Sequence, residues 1–211
     1  MKQELESILS FGAQAVSGEK TIFDQAALRH LDRLMEGNSG YKTIPANPAV
    51  LSQELREGTA QNGQSPLAVI VCCSDSRVPP EHIFHAGIGE LFVIRNAGNL
   101  ISDFALGSAE YAVEHLETPL VVVMGHTSCG AVGTALTPAQ EKGGLAAILA
   151  EIRDAIAGET DPHQAVRKNT LHALAMLGRS PILKELHQAG KVEFAAAIYD
   201  IHSGHVDFLQ D

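Results

Sequence analysis

Two short stretches of the chain carry side chains that bind metals and hold protons. Cys73, Asp75 and Arg77 alternate in the first stretch, and His126 and Cys129 lie close together in the second. Zinc accepts two thiols and one imidazole as ligands, and three protein ligands leave a fourth position for water, which is the arrangement of a catalytic zinc site. Arg77 follows Asp75 closely enough to hold its carboxylate. These residues therefore predict a zinc site with an accessory Asp/Arg pair.

Each of these residues taken alone has an ordinary structural interpretation. A cysteine in a strand often serves as a small hydrophobe, and Cys72 and Cys73 share one apolar run. Strand alternation points these two thiols to opposite faces, and Cys73, at the strand's end, is the better ligand. A lone His126 is more often a hydrogen-bonded structural histidine. Its pairing with Cys129, together with the thiol of Cys73 from a neighbouring strand end as the third ligand, favours a metal site.

Three apolar runs predict the strands that position these residues. Leu67–Cys73, Leu91–Arg95 and Leu120–Gly125 are rich in β-branched residues and typical of strands buried on both faces. A helix from Ser102 to about Glu117 lies between the last two and completes a βαβ unit. Ligands bind at the carboxyl ends of parallel strands, so the two chemical stretches should converge there.

The remaining periodicity predicts helices around this sheet and a closing hairpin. The fold class is therefore α/β, with a central, mostly parallel sheet of about five strands, the last antiparallel, flanked by helices. Residues 1–60 are expected to form an N-terminal helical arm and residues 61–211 the zinc-binding core. The other predicted elements are helices at Lys2–Gly18, Thr21–Gly37, Ala49–Glu57, Gly144–Ala157, His163–Leu177 and Pro181–Ala189, a loop at Asn38–Asn47, and strands at Val192–Tyr199 and Val206–Leu209.

Composition excludes several classes of partner. The chain has 211 residues, 45% of them hydrophobic, which suffices for one core. A formal net charge of -10 without a basic cluster argues against nucleic acid and anionic membranes as partners. No apolar run approaches the roughly 20 residues of a membrane span, and Glu4 and Glu6 stand where a signal peptide would be apolar. Three cysteines cannot form a disulfide framework, so we expect a cytoplasmic protein.

Three motifs together resemble the β-class carbonic anhydrases. They are CSDSRVPPE from Cys73, ELFVIRNAGN from Glu90 and GHTSCGA from Gly125. The resemblance implies one zinc ion per chain and an enzyme that reversibly hydrates carbon dioxide to bicarbonate and a proton by means of a zinc-bound hydroxide. Because two thiolates cancel the charge of the ion, its water should be less acidic than on three imidazoles, and activity should rise toward alkaline pH.

The resemblance also implies a role for each residue of the site. Zinc is bound by Cys73, His126 and Cys129. Asp75 accepts a hydrogen bond from the hydroxide and orients it toward an electrophile, while Arg77 holds Asp75.

A second set of residues is implied to bind substrate. Gln64 matches a glutamine of the plant-like branch that hydrogen-bonds bicarbonate, and Phe92 and Tyr111 match residues that line the pocket. In that family the pocket lies at a dimer interface, with these three positions supplied by the neighbouring subunit, so a homodimer or homotetramer is expected. Without substrate, Phe92 fits a strand core and Tyr111 the buried face of a helix equally well.

One departure from the family's pattern favours an open zinc site. A second branch has an inactive state in which the residue corresponding to Asp75 ligates zinc, and its bicarbonate site includes a tryptophan just before the first motif. This chain contains no tryptophan and has Ile70 at that place. We therefore expect the plant-like, open-site form.

Two other functions stay open at this point. The same fold and zinc occur in relatives that hydrolyse carbon disulfide or carbonyl sulfide, although Gln64 suits a bicarbonate oxygen better. Alternatively, the chain could be a non-catalytic structural zinc or thiol redox module in which Cys72 and Cys73 react. In that interpretation Asp75 and Arg77 have no functional role.

Overall fold

The computed structural model describes residues 25–43, 52–138 and 141–209. The predicted helix Lys2–Gly18 lies outside this part of the chain, as do segments of the neighbouring predicted elements. The described helices are α1 (Gln25–Tyr41), α2 (Gln53–Asn62), α3 (Pro80–Ile83), α4 (Asp103–His115), α5 (Gly130–Ala135), α6 (Gly144–Ala155), α7 (Pro162–Leu177) and α8 (Pro181–Gln188). The described strands are β1 (Ala68–Cys73), β2 (Leu91–Asn96), β3 (Leu120–His126), β4 (Glu193–Tyr199) and β5 (Val206–Phe208).

The five strands form one sheet in the order β2-β1-β3-β4-β5. The first four run parallel, and β5 pairs with β4 in the antiparallel direction. The predicted α/β class, the strand count and the direction of the last strand are confirmed. Because β1 and β3 are hydrogen-bonded neighbours, their carboxyl ends lie side by side at one edge of the sheet.

The sheet is covered on both faces, which explains the continuous apolar runs of its central strands. Every residue of β1 and β3 is buried. Alternate residues of β1 enter different apolar clusters: Val69 and Val71 pack in one, and Ile70 and Cys72 in another. Parallel strands that bury both faces need such runs of β-branched residues.

Helix α1 extends further than the sequence predicts. We expected a loop from Asn38, but the helix continues to Tyr41. Asn38 is 3% exposed, and its Nδ2 donates to Gly204 O at 2.8 Å while its Oδ1 accepts from Val206 N at 2.9 Å. These long-range bonds to the β4–β5 hairpin outweigh the weak helix propensity of the Asn-Ser-Gly segment.

Helix α2 is also shifted from its prediction of Ala49–Glu57. It begins after Ser52, whose side chain accepts a hydrogen bond from Leu55 N, and continues to Asn62. The serine cap sets its start, because it satisfies an amide that the first helical turn leaves free. The short helix α3 was not predicted. Among the described helices, none is long and apolar enough to cross a membrane.

Candidate metal centre

Three ligand-bearing side chains meet at the carboxyl ends of β1 and β3. Cys73 is the last residue of β1, His126 is the last residue of β3, and Cys129 immediately precedes α5. Their sulfur and ring-nitrogen atoms all lie within 4.8 Å of one another, and all three residues are buried. In the described part of the chain this is the one such group that could hold a metal ion.

The ring of His126 is oriented for a ligand. It is fully buried, and its Nδ1 lies 3.0 Å from the carbonyl oxygen of Thr127, which fixes Nδ1 as the N–H donor. Its Nε2 is buried with no hydrogen-bond partner among the described residues. A buried nitrogen lone pair without a donor is costly, and a metal ion would satisfy it.

The two thiols interact with each other and are surrounded by amide donors. The pKa of the Cys73 thiol is lowered, mainly because the Cys129 thiol donates a hydrogen bond to it; His126 and the Gly98 amide lower it further. The same hydrogen bond, together with burial, raises the pKa of Cys129, while the amides of Val132 and Ala131 act in the opposite direction. These donors favour a thiolate at Cys73, and binding of a cation would displace the proton from Cys129.

Cys72 takes no part in this group. Strand alternation sends its side chain into the apolar cluster on the other face of the sheet, as the sequence predicts. Burial raises the pKa of the Cys72 thiol to about 12. It is consequently a small buried hydrophobe rather than a ligand or a reactive thiol.

The segment after β3 is fixed by contacts with its neighbours. Thr127 N donates to Tyr199 O at 2.9 Å, and Thr127 Oγ1 accepts from Ile201 N at 3.1 Å. Immediately before the histidine, a Cβ at Gly125 would lie 2.1 Å from Thr170 Oγ1, so only glycine lets α7 approach β3 this closely. These contacts fix the backbone on both sides of His126.

Asp75 and Arg77 form the predicted pair beside the thiols. Arg77 donates to both carboxylate oxygens, with Nη2 2.8 Å from Oδ2, and its backbone amide donates to Oδ1 at 2.9 Å. These bonds hold the pKa of Asp75 well below its usual range, with the Arg77 side chain as the largest cause. Arg77 Nη2 also lies 3.3 Å from Ser128 O and so reaches the second ligand segment.

Sequence reasoning missed a further arginine that supports the first ligand segment. Arg95 Nε donates to Cys73 O at 3.1 Å, and its Nη2 donates to Asp75 O at 2.7 Å. Arg95 lies in β2 opposite Cys72 across the strand pair, a register that the sequence does not show. Its guanidinium holds the backbone through the turn that carries both Cys73 and Asp75.

The three predicted substrate residues lie away from the metal group of their own chain. Gln64 is exposed in the loop before β1, whereas Cys73 ends that strand. Phe92 pairs with Val69, four residues before the level of Cys73, which corresponds to about 13 Å along the sheet. Tyr111 contacts Phe92, with ring centroids 6.3 Å apart. The fold therefore brings Phe92 and Tyr111 together but leaves Gln64 and both rings remote from the ligands.

The observed site agrees with what comparison with known proteins shows. The family model described as carbonic anhydrase matches residues 68–206, which span the first four strands, the first residue of β5 and all three ligands. The chain belongs to the carbonic anhydrase family. It is 36% identical over 195 residues to a carbonic anhydrase of Synechococcus elongatus, a match that covers 82% of this chain and 70% of that relative.

Two further comparisons define the class and the extent of the similarity. A β-carbonic anhydrase of Sordaria macrospora, solved as one of two tetrameric enzymes, has a TM-score of 0.68 and 26% identity and covers 81% of this chain and 90% of its own. This places the carbonic anhydrase fold in the β class. Carbonic anhydrase 2 of Mycobacterium tuberculosis is 50% identical over 105 residues, and the match covers 49% of each protein. The chain thus spans about half the length of that relative.

Proposed function

We propose that this chain is a zinc-dependent carbonic anhydrase that reversibly hydrates carbon dioxide to bicarbonate and a proton. The observation that carries the proposal is the convergence of Cys73, His126 and Cys129 beside a carboxylate that is fixed by Arg77. Two thiolates and a neutral imidazole suit zinc and leave a coordination position open. Zinc in such a site acts as a Lewis acid that lowers the pKa of water.

The chain's own residues then orient the reacting groups. The carboxylate of Asp75 is ionised at neutral pH and accepts hydrogen bonds only from Arg77 among the described residues, so it retains lone pairs for a nucleophilic water. Accepting that water's proton in a hydrogen bond turns the water's lone pair toward carbon dioxide. Arg77 prevents the carboxylate from rotating, because a bidentate ion pair fixes both oxygens.

We assign the site to the open form. Asp75 is paired with Arg77 and does not belong to the group of atoms that could hold a metal ion. Ile70, at the position of the second branch's tryptophan, is fully buried in an apolar cluster. Both observations support a fourth ligand position that is free for the reaction.

A second subunit completes the substrate pocket in this proposal. Gln64 lies before β1, Phe92 near the start of β2 and Tyr111 on α4, too far from their own metal group to reach it, but they can serve the site of a neighbour. Strand β2 is an edge of the sheet. On the adjacent helix α4, Phe104 is 91% exposed and Tyr111 is 47% exposed, one above the other at helical spacing. An exposed aromatic surface beside a sheet edge is typical of an interface between subunits.

The assembly is therefore a homodimer or a homotetramer. The similarity to a tetrameric β-carbonic anhydrase supports this assignment. We further propose a cytoplasmic location, since Cys72, Cys73 and Cys129 are all free thiols and free thiols persist in reducing compartments.

The test is stopped-flow hydration of carbon dioxide by metal-quantified protein between about pH 6.5 and 9, a range around the pKa near 7 of water on catalytic zinc. The expected result is turnover that is proportional to zinc content and rises with pH. Zinc-loaded protein that turns over carbonyl sulfide or carbon disulfide instead would assign a different substrate. Zinc-loaded protein that turns over neither carbon dioxide nor carbonyl sulfide nor carbon disulfide would indicate a non-catalytic zinc module.

A further inference from the structure

The loop after β2 donates a hydrogen bond directly to a metal-ligand sulfur. The backbone amide of Gly98 lies 3.4 Å from Cys73 Sγ, in a buried setting. Amide donors to a ligand thiolate hold its position and moderate the electron density that it gives to the metal. The orientation of this one peptide group therefore bears on both the geometry and the affinity of the site.

Gly98 occupies a conformation that needs support from outside the loop. Its φ is +80°, in the region that favours glycine, and a Cβ there would lie 2.8 Å from Ile152 Cδ1. Inside the loop, Asn96 closes the turn, because its side chain accepts from Leu100 N and donates to Leu100 O, each at 2.7 Å. Neither of these bonds involves the carbonyl of Gly98, which has no hydrogen-bond partner within the loop.

A buried asparagine on helix α7 is the hydrogen-bond partner of the Gly98 carbonyl. Asn169 lies in α7, is 1% exposed, and donates from Nδ2 to Gly98 O at 2.9 Å. An amide side chain is costly to bury, and Asn169 Oδ1 has no hydrogen-bond partner among the described residues. A leucine of similar size would avoid this cost at an otherwise apolar position. Among the described residues, the bond to Gly98 is therefore the one side-chain hydrogen bond that offsets the burial of this amide.

We propose that Asn169 is a positioning residue for the zinc site, acting through Gly98 to hold the hydrogen bond that Cys73 Sγ receives. The inference rests on the proposed zinc site but not on the reaction. Asn169 does not belong to the metal-binding group, so its effect on the metal passes through Gly98.

The test compares Asn169→Leu with Asn38→Leu, because Asn38 is another buried asparagine that bonds backbone groups far from the ligands. Zinc affinity is measured by competition with a chelator, and cobalt-substituted protein reports the thiolate-to-metal charge-transfer band. Asn169→Leu should weaken zinc binding about tenfold, as loss of an outer partner of a ligand does, and shift the band. Asn38→Leu should lower stability and leave both readouts unchanged. Wild-type affinity and spectrum in Asn169→Leu would overturn the inference.

A second variant and a wild-type measurement guard against misfolding. Asn169→Ala removes the donor without adding a charge or bulk, and it should reproduce the spectral shift. In wild-type protein loaded with cadmium-113, the Gly98 amide proton should show scalar coupling to the metal through Cys73 Sγ, and absence of coupling would refute the proposed path. None of these readouts requires turnover, so an inactive protein that passes them would refute only the proposed function.

Discussion

Arg77 contacts both carboxylate oxygens of Asp75, with Nε 3.0 Å from Oδ1 and Nη2 2.8 Å from Oδ2. The Arg77 backbone amide adds a third bond to Oδ1. Asp75 would have to give up all three to rotate toward the metal ligands. The pair therefore does two things at once: it keeps the carboxylate ionised, and it keeps it from competing for the metal.

Replacing Asp75 by asparagine should separate metal binding from catalysis. Asp75→Asn should retain zinc, because the three ligands are untouched, and should lose on the order of a hundredfold in rate with the acceptor gone. Stopped-flow hydration and metal analysis of the same sample measure both effects. Asp103→Asn is the control, since Asp103 also pairs with an arginine, at 2.9 Å, but on the surface. Full activity of Asp75→Asn would refute the role assigned to this carboxylate.

The adjacent cysteines of β1 provide a matched pair for the ligand assignment. Cys73→Ser should lose zinc, because a hydroxyl is a poor replacement for a thiolate on this metal. Cys72→Ala should keep a full complement of zinc and lose only some stability, because its side chain packs in an apolar cluster on the opposite face. Metal content after extensive dialysis distinguishes the two. Loss of zinc in both variants would mean that β1 presents its thiols differently.

Mixed oligomers can test whether neighbouring subunits share the pocket. Gln64→Ala should lose roughly tenfold or more in rate with the loss of a hydrogen bond to bicarbonate. When Gln64→Ala and Asp75→Asn chains are dissociated, mixed and reassembled, each heterodimer contains one site with both native residues. Random mixing should then restore about a quarter of wild-type activity if the sites are shared across a two-fold axis. Activity that stays at the average of the two parents would place Gln64 in its own chain's site or outside the pocket.

The exposed aromatic surface of α4 should control assembly. Phe104→Asp places a charge in the proposed interface and should shift the protein toward monomers in sedimentation analysis, because an unpaired buried charge is costly. Leu145→Asp, on α6, also charges an exposed apolar residue and should leave the assembly unchanged. A wild-type oligomer in Phe104→Asp would exclude this surface from the interface.

Glu159 should stabilise the protein in a pH-dependent manner. Its pKa is lowered to about 2, first by the amide of Asp161 and then by Lys168, whose Nζ is 2.9 Å from Oε2. Because the folded pKa lies below the ordinary value of 4.5, the stabilisation is complete above that value and disappears as pH falls toward 2. Urea denaturation should therefore show Glu159→Gln less stable than wild type at pH 7, with the difference shrinking below about pH 4. Lys168→Met should lose less than Glu159→Gln. A stability difference between Glu159→Gln and wild type that does not vary with pH would contradict this role of Glu159.

The central strands and the metal group could be predicted from the sequence because their signals are local. Apolar runs that end at Cys73 and before His126 mark both the strands and the edge where they end. The ligand types then follow from short spacings, and the strand pairing that joins the two segments follows from the βαβ unit. For the same reason the antiparallel last strand was predicted from the hairpin residues between β4 and β5.

The misses concern side chains that act over long sequence separations. Asn38 looks like a helix breaker until its bonds to Gly204 and Val206 are seen, and these determine where α1 ends. Arg95 and Asn169 likewise bond backbone atoms of distant segments. No spacing in the sequence marks an asparagine within a helix as the partner of a metal-site loop, so such residues become visible only once the chain is folded.

The close approach of α7 to β3 at Gly125 has a consequence for how substitutions in this protein would be interpreted. A survey of tolerated replacements should rank position 125 with the metal ligands, although glycine has no side chain that could take part in chemistry. Its intolerance would be steric, because an added carbon meets the hydroxyl of Thr170, on the helix that also carries Asn169. Mutational sensitivity alone would therefore overstate the number of residues that perform the reaction.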